Sequence, residues 1–74
     1  MRYKRSSFLK YLKDKHDCEI SPIKGTNALI IKNGPVNCKT WINPKDIIDY
    51  EEIGIICQKL FVGLPGHSEL IPVD

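Results

Sequence analysis

The segment "ALIIKNGPVNCKTWI", residues 28–42, restricts the fold more than any other part of the chain. Two runs containing β-branched and aromatic residues flank Asn33-Gly34, and an Asn-Gly pair supplies the positive φ of a tight reversal at little steric cost. The pattern predicts a hairpin with strands over Ala28 to Lys32 and Cys38 to Ile42, joined by Asn33 to Asn37 and ended by Asn43-Pro44. Glu19 to Ile23 is a further candidate strand. Pro22 lacks the N–H a ladder needs, so this strand belongs at a sheet edge or is irregular.

Helical patterns lie on both sides. Ser6 or Ser7 can cap a helix running to about His16, with Phe8, Leu9 and Leu12 on its apolar face and Tyr11 beside them. Later, Ile53, Ile56, Cys57 and Leu60 fall at i, i+3, i+4 and i+7, which predicts a helix from about Tyr50 to Phe61. Asp49 and Glu52 have the spacing of a capping box. Gly63 is the expected stop, with Pro65 just beyond it. Asp46 to Asp49 reads as a connector whose Ile47 and Ile48 pack against the sheet. The predicted order is α-β-β-β-α, an α+β fold in which both helices cover one face of a three-stranded antiparallel sheet.

A chain of 74 residues holds one domain, read as residues 1–63 followed by a C-terminal tail over 64–74, extended or loosely attached. A core this small supplies a stability on the order of 3–5 kcal/mol. No apolar run approaches the ~18 residues of a membrane span, and the basic start leads into an amphipathic segment instead of an apolar signal core. Cys18, Cys38 and Cys57 are far apart and form no Cys-x-x-Cys pair, so reduced, mostly buried thiols in the cytoplasm are expected, with no metal and no cofactor. Asp49, Glu51 and Glu52 gather where a helix dipole favours acids, which explains them without a metal.

The net charge of +2 does not by itself indicate nucleic acid, but its distribution is uneven. Arg2, Lys4, Arg5, Lys10, Lys13 and Lys15 all fall in the first fifteen residues, opposed there only by Asp14. Such an element can attract phosphates, or serve simply as a solvated helix face. Candidate phosphate contacts are Arg5, Lys10, Lys13, Lys24 and Lys32. Strand alternation sets Ala28, Ile30 and Lys32 against Leu29, Ile31 and Asn33, and Cys38, Thr40 and Ile42 against Lys39, Trp41 and Asn43. Two helices cover one of these faces. Either residues 64–73 fold back across the other, or a partly apolar patch with Ile30 or Trp41 is open to a protein partner or a second copy.

Four landmarks carry a resemblance over about Ser7 to Leu64: "SSFLKYLKDK", the "KGTN" corner, "NGPVN" leading to "KTWINP", and "IICQKLFVGLP". Together with the element order, they resemble the HicA family of small toxins, the ribonuclease halves of bacterial toxin–antitoxin pairs. The resemblance implies a fold related to the double-stranded RNA-binding domain, an RNA target, a cognate antitoxin as partner, and a functional site at the corner Gly25, Thr26, Asn27, Ala28. It also implies a histidine there, because cleavage through the RNA 2′-hydroxyl needs a group that exchanges a proton near neutral pH. This chain departs at that point. Asn27 can hydrogen-bond but cannot act as a base, and Ala28 can do neither. The histidines are His16, at the end of the first helix, and His67 in the tail.

Two functions follow. One is a HicA-like, RNA-directed protein with weak or absent metal-independent cleavage. The other is a non-catalytic protein-binding module on the same fold, a regulator or an inhibitor of phage type. Trp41 serves either, by stacking on a base or by anchoring a partner. A plain double-stranded RNA binder ranks below both, because the second helix opens with Asp49-Tyr50-Glu51-Glu52 where phosphates would dock.

Overall fold

The computed structural model describes residues 1–73; Asp74, the last residue of the expected tail, lies outside them. The fold is α+β, as expected. Its elements are β1 (Arg2–Lys4), α1 (Arg5–His16), β2 (Glu19–Pro22), β3 (Ala28–Asn33), β4 (Val36–Trp41), β5 (Ile47–Asp49), α2 (Tyr50–Leu60) and a 3₁₀ turn (His67–Glu69). Strands β2, β3 and β4 form an antiparallel sheet in that order, with Ile20 opposite Ile31 and Ile31 opposite Cys38. Gly34 turns the hairpin at φ +60° and Gly25 turns the corner before β3 at φ +81°, a region glycine enters freely. Both helices pack on the face carrying Ile31 and Cys38, and Phe8, Leu12, Ile53, Ile56, Cys57 and Leu60 complete the core. The three cysteines are buried and free, and burial pushes the Cys57 thiol up to about 11.

The connector at residues 46–49 turns out to be half of a second sheet. β5 pairs antiparallel with β1, placing Tyr3 opposite Ile48, and both side chains are buried. Three residues are too short for an alternation to be read, and in β1 the two cations around Tyr3 mask its single inward side chain. The C-terminal segment lies on the other side of β1. Tyr3 bridges to Pro72, the Lys4 amide donates to the Ile71 carbonyl at 2.7 Å, and the Val73 amide donates to the Arg2 carbonyl at 3.1 Å. Leu70 and Pro65 are buried. The segment expected to be extended or loosely attached is therefore extended and attached, and it runs beside β1 instead of across the open face of the β2–β3–β4 sheet.

The helix ends also depart from local sequence rules. Lys4, not Ser6 or Ser7, occupies the N-cap of α1 and supplies no side-chain cap. Asp46 reaches in from the β4–β5 link instead. Its carboxylate accepts the Ser6 amide at 2.9 Å and the Ser6 hydroxyl at 2.7 Å, and its carbonyl accepts the Arg5 amide at 2.8 Å. Replacing Asp46 with alanine is expected to destabilise the protein by about 1 kcal/mol, the usual worth of an N-cap acceptor. The midpoint of urea unfolding reads this; an unchanged midpoint would mean that solvent caps α1 equally well. At α2 the Asp49–Glu52 capping box does not form, because Glu52 turns to Arg5 and the Asp49 side chain makes no cap bond. Phe61, not Gly63, is the left-handed stop, at φ +56°, with its amide donating to the Gln58 carbonyl and the Val62 amide to the Cys57 carbonyl. The Asn33 side-chain amide donates to the Leu60 carbonyl at 2.7 Å and ties the hairpin to this helix end.

Candidate functional site

The β3–β4 register brings the corner to the tryptophan. Asn33 pairs with Val36, so Ala28 falls opposite Trp41, and the Ile42 amide donates to the Asn27 carbonyl at 2.7 Å. A shallow hollow results, lined by Gly25, Thr26, Asn27 and Trp41. Within it the residues have different tasks. Gly25 provides the positive φ. The Thr26 hydroxyl donates to the Ile23 carbonyl at 2.9 Å and accepts the Ala28 amide at 3.2 Å, so it holds the turn. Ala28 is fully buried. The Asn27 side chain is exposed and takes no hydrogen bond among the described residues. Trp41 is 60 % exposed, and the Lys39 ammonium sits 4.8 Å from its ring centroid, a cation–π contact on the open face.

Paired residues of an antiparallel ladder share a face, so Ala28, Ile30 and Lys32 of β3 lie with Asn37, Lys39 and Trp41 of β4 on the side away from the helices. Ile30 is half-buried there and Lys32 is exposed. Lys24 is exposed at the corner. Lys10 and Lys13 are exposed on α1, on the helical side of the sheet, so the candidate phosphate contacts divide between two surfaces. Arg5 belongs to neither. It is 7 % exposed, with Nε donating to the Ile47 carbonyl, Nη1 to Thr40 Oγ1 at 3.0 Å, and both terminal nitrogens facing the Glu52 carboxylate at 3.3 and 3.5 Å. Its charge is held inside the fold. Lys39, left out of the candidate contacts, takes its place beside the hollow; its position two residues from Trp41 on one strand is the signal that finds it.

Neither histidine belongs to the hollow. The Tyr11 hydroxyl donates to the Gly63 carbonyl at 2.8 Å, and having one proton it accepts from His16 Nε2 at 2.9 Å. His67 stacks on Tyr50 with ring centroids 4.5 Å apart and its Nδ1 meets the Tyr3 hydroxyl. Both imidazoles are thus fastened to aromatic residues of the helical side and the β1–β5 sheet. Asn27, Trp41, Lys39 and Lys24 can hydrogen-bond, stack and neutralise phosphate; neither a histidine nor a carboxylate lines the hollow with them. The described residues hold no cluster of metal-ligating side chains, and no described helix is long and apolar enough to cross a membrane. No family model, curated protein or solved structure matches the chain.

Proposed function

We propose that this is a HicA-like, RNA-directed protein that holds single-stranded RNA on the open face of its sheet and cleaves it weakly or not at all. The observation that carries the reading is Trp41, exposed beside the Gly25–Thr26–Asn27 hollow with Lys39 over its ring. An exposed indole is a sequence-tolerant platform for an unstacked base, and a neighbouring lysine suits the phosphate next to it. Asn27 presents an unengaged amide to a base edge. Weak cleavage follows from Asn27 and Ala28 at the corner and from the distant engagement of both histidines. The reading includes a cytoplasmic location, supported by three buried thiols that form no disulfide.

Trp41 is the sole tryptophan, so intrinsic fluorescence reports its contacts directly. Titration with a short single-stranded oligoribonucleotide is expected to quench it saturably, more weakly as salt is raised. Trp41→Ala should weaken binding, followed by anisotropy of labelled RNA, by about 1–3 kcal/mol. The RNA should remain intact throughout. Absence of quenching, or robust metal-independent cleavage lost on changing His16 or His67, would refute the reading. Ile42 and half-buried Ile30 add apolar surface near Trp41, and this favours the second reading, a protein-binding module. In that case a protein and not RNA would quench Trp41.

A further inference from the structure

The two edges of the β2–β3–β4 sheet are unequal. In the ladder, Leu29, Ile31 and Asn33 exchange hydrogen bonds with Thr40, Cys38 and Val36, a phase set by the Ile42–Asn27 bond. The N–H and C=O groups of Asn37, Lys39 and Trp41 therefore point away from the sheet, and they meet no backbone partner among the described residues. On β2 the outward residues are Ile20 and Pro22, and Pro22 has no N–H to offer. Only β4 presents a run of outward donors and acceptors, with no proline along it.

Helix α2 lies against β4 and makes one wall of this edge. Glu52, Ile55, Ile56 and Lys59 fall at i, i+3, i+4 and i+7, a single stripe. Glu52 Oε2 accepts the Thr40 hydroxyl at 3.5 Å, and α2 packs on β4 along its length, so the stripe follows β4. Ile56 enters the core, whereas Ile55 is 55 % exposed and Lys59 is exposed. Glu52, the stripe's one acid, is neutralised by Arg5. The edge is therefore flanked by an unopposed lysine on each side, Lys39 on the open face and Lys59 on the helical side.

We propose that the free edge of β4 receives an acidic, extended segment of a partner protein as a fourth strand. Backbone hydrogen bonds to Asn37, Lys39 and Trp41 supply register, and alternate side chains of the incoming strand reach Lys39 and Trp41 on one side and Ile55 and Lys59 on the other. Charge selects this occupant over a second copy. The antiparallel self-pairing that uses all three outward residues sets Lys39 opposite Lys39 of the other copy, and like charges directly opposite are unfavourable. The inference shares Lys39 and Trp41 with the RNA reading, but the backbone protection along β4 that it requires does not depend on RNA binding to the open face.

The test is amide hydrogen exchange on the full chain with a short peptide alternating glutamate and valine. The amides of Asn37, Lys39 and Trp41 are expected to slow about tenfold or more, in alternation with Cys38 and Thr40, which are already paired and do not change. A peptide with lysine in place of glutamate should bind at least about tenfold more weakly to the unaltered protein, and the double variant Lys39→Glu, Lys59→Glu should reverse that preference. Four results would overturn the proposal: no slowing; slowing at Ile20 alone; equal binding of the two peptides; or a dimer in sedimentation with these amides already protected. A single-stranded oligoribonucleotide that produced the same alternating protection would overturn it as well. If the double variant does not fold, the two peptides on the native chain still decide.

Discussion

Replacing Glu52 with alanine is expected to remove about 2–3 kcal/mol of stability, most of what a domain this small possesses. The reason is the guanidinium of Arg5. It is 7 % exposed, and its charge is balanced by the Glu52 carboxylate, with Thr40 Oγ1 and the Ile47 carbonyl accepting its other bonds. Alanine leaves those neutral acceptors to hold a charge that water barely reaches. Glu52 itself is 43 % exposed, which lowers the cost from the 3–5 kcal/mol typical of fully buried pairs. Urea unfolding should show the midpoint falling by about 2–3 M, given a slope near 1 kcal/mol/M for a chain of this size. The double replacement Arg5→Met, Glu52→Met should recover most of the loss, since it removes the charge together with its partner. If Glu52→Ala left the midpoint in place, Arg5 would have to be solvated in solution, and its four-element network would not be structural.

Leu70→Ala should cost about 3 kcal/mol, and a chain ending at Gly63 should not fold. Leu70 is 5 % exposed and joins the core cluster, so its truncation leaves a cavity that the small domain cannot easily collapse. Ending at Gly63 removes more: Leu70, the buried Pro65 with the carbonyl that accepts the Tyr50 hydroxyl, and the segment that bonds to Lys4. Tyr3, 1 % exposed when residues 64–73 are in place, would lose its cover. Near-ultraviolet circular dichroism and proton shift dispersion distinguish the outcomes. A truncated chain with native dispersion and a cooperative transition would show that the core closes without its last segment.

Both helices and the strands β2, β3 and β4 were legible because each is specified by neighbours in sequence. The stripe of Ile53, Ile56, Cys57 and Leu60 needs only the helical period, and the hairpin needs only Asn33-Gly34 between two apolar runs. The strand bounds shift by a residue or two, and the division of β3 and β4 into faces follows once the hairpin is accepted. What escaped depends on residues far apart. Nothing near Ser6 announces that Asp46 caps its helix from 40 positions away. Arg5 stands in a basic run beside Lys4, and local sequence does not separate the cation that turns inward from the one that stays in water. Glu52 illustrates the competition: spacing offers it a capping box, but a buried guanidinium is the stronger claim. At the candidate site, the meeting of Asn27 with Trp41 was within reach, since pairing Asn33 with Val36 and counting back sets Ala28 opposite Trp41. That neither histidine shares the hollow was not, because the places of Tyr11 and Tyr50 depend on the whole core.

The seating of β1 between Ile47–Asp49 and the bridge at Pro72 has a consequence for the order in which the chain can be made. Tyr3 is synthesised well before its cover, which includes Pro72 and a ring of the 3₁₀ turn. At about 5–20 residues per second it waits several seconds. The β2–β3–β4 hairpins and α1 can associate within that time, because their contacts close short loops, but the β1–β5 layer cannot be completed until translation has passed Pro72. A ribosome stalled before that point would hold a chain with its sheet face formed and its aromatic N-terminus bare. The β1–β5 layer is therefore closed late, after the β2–β3–β4 sheet has had seconds to form.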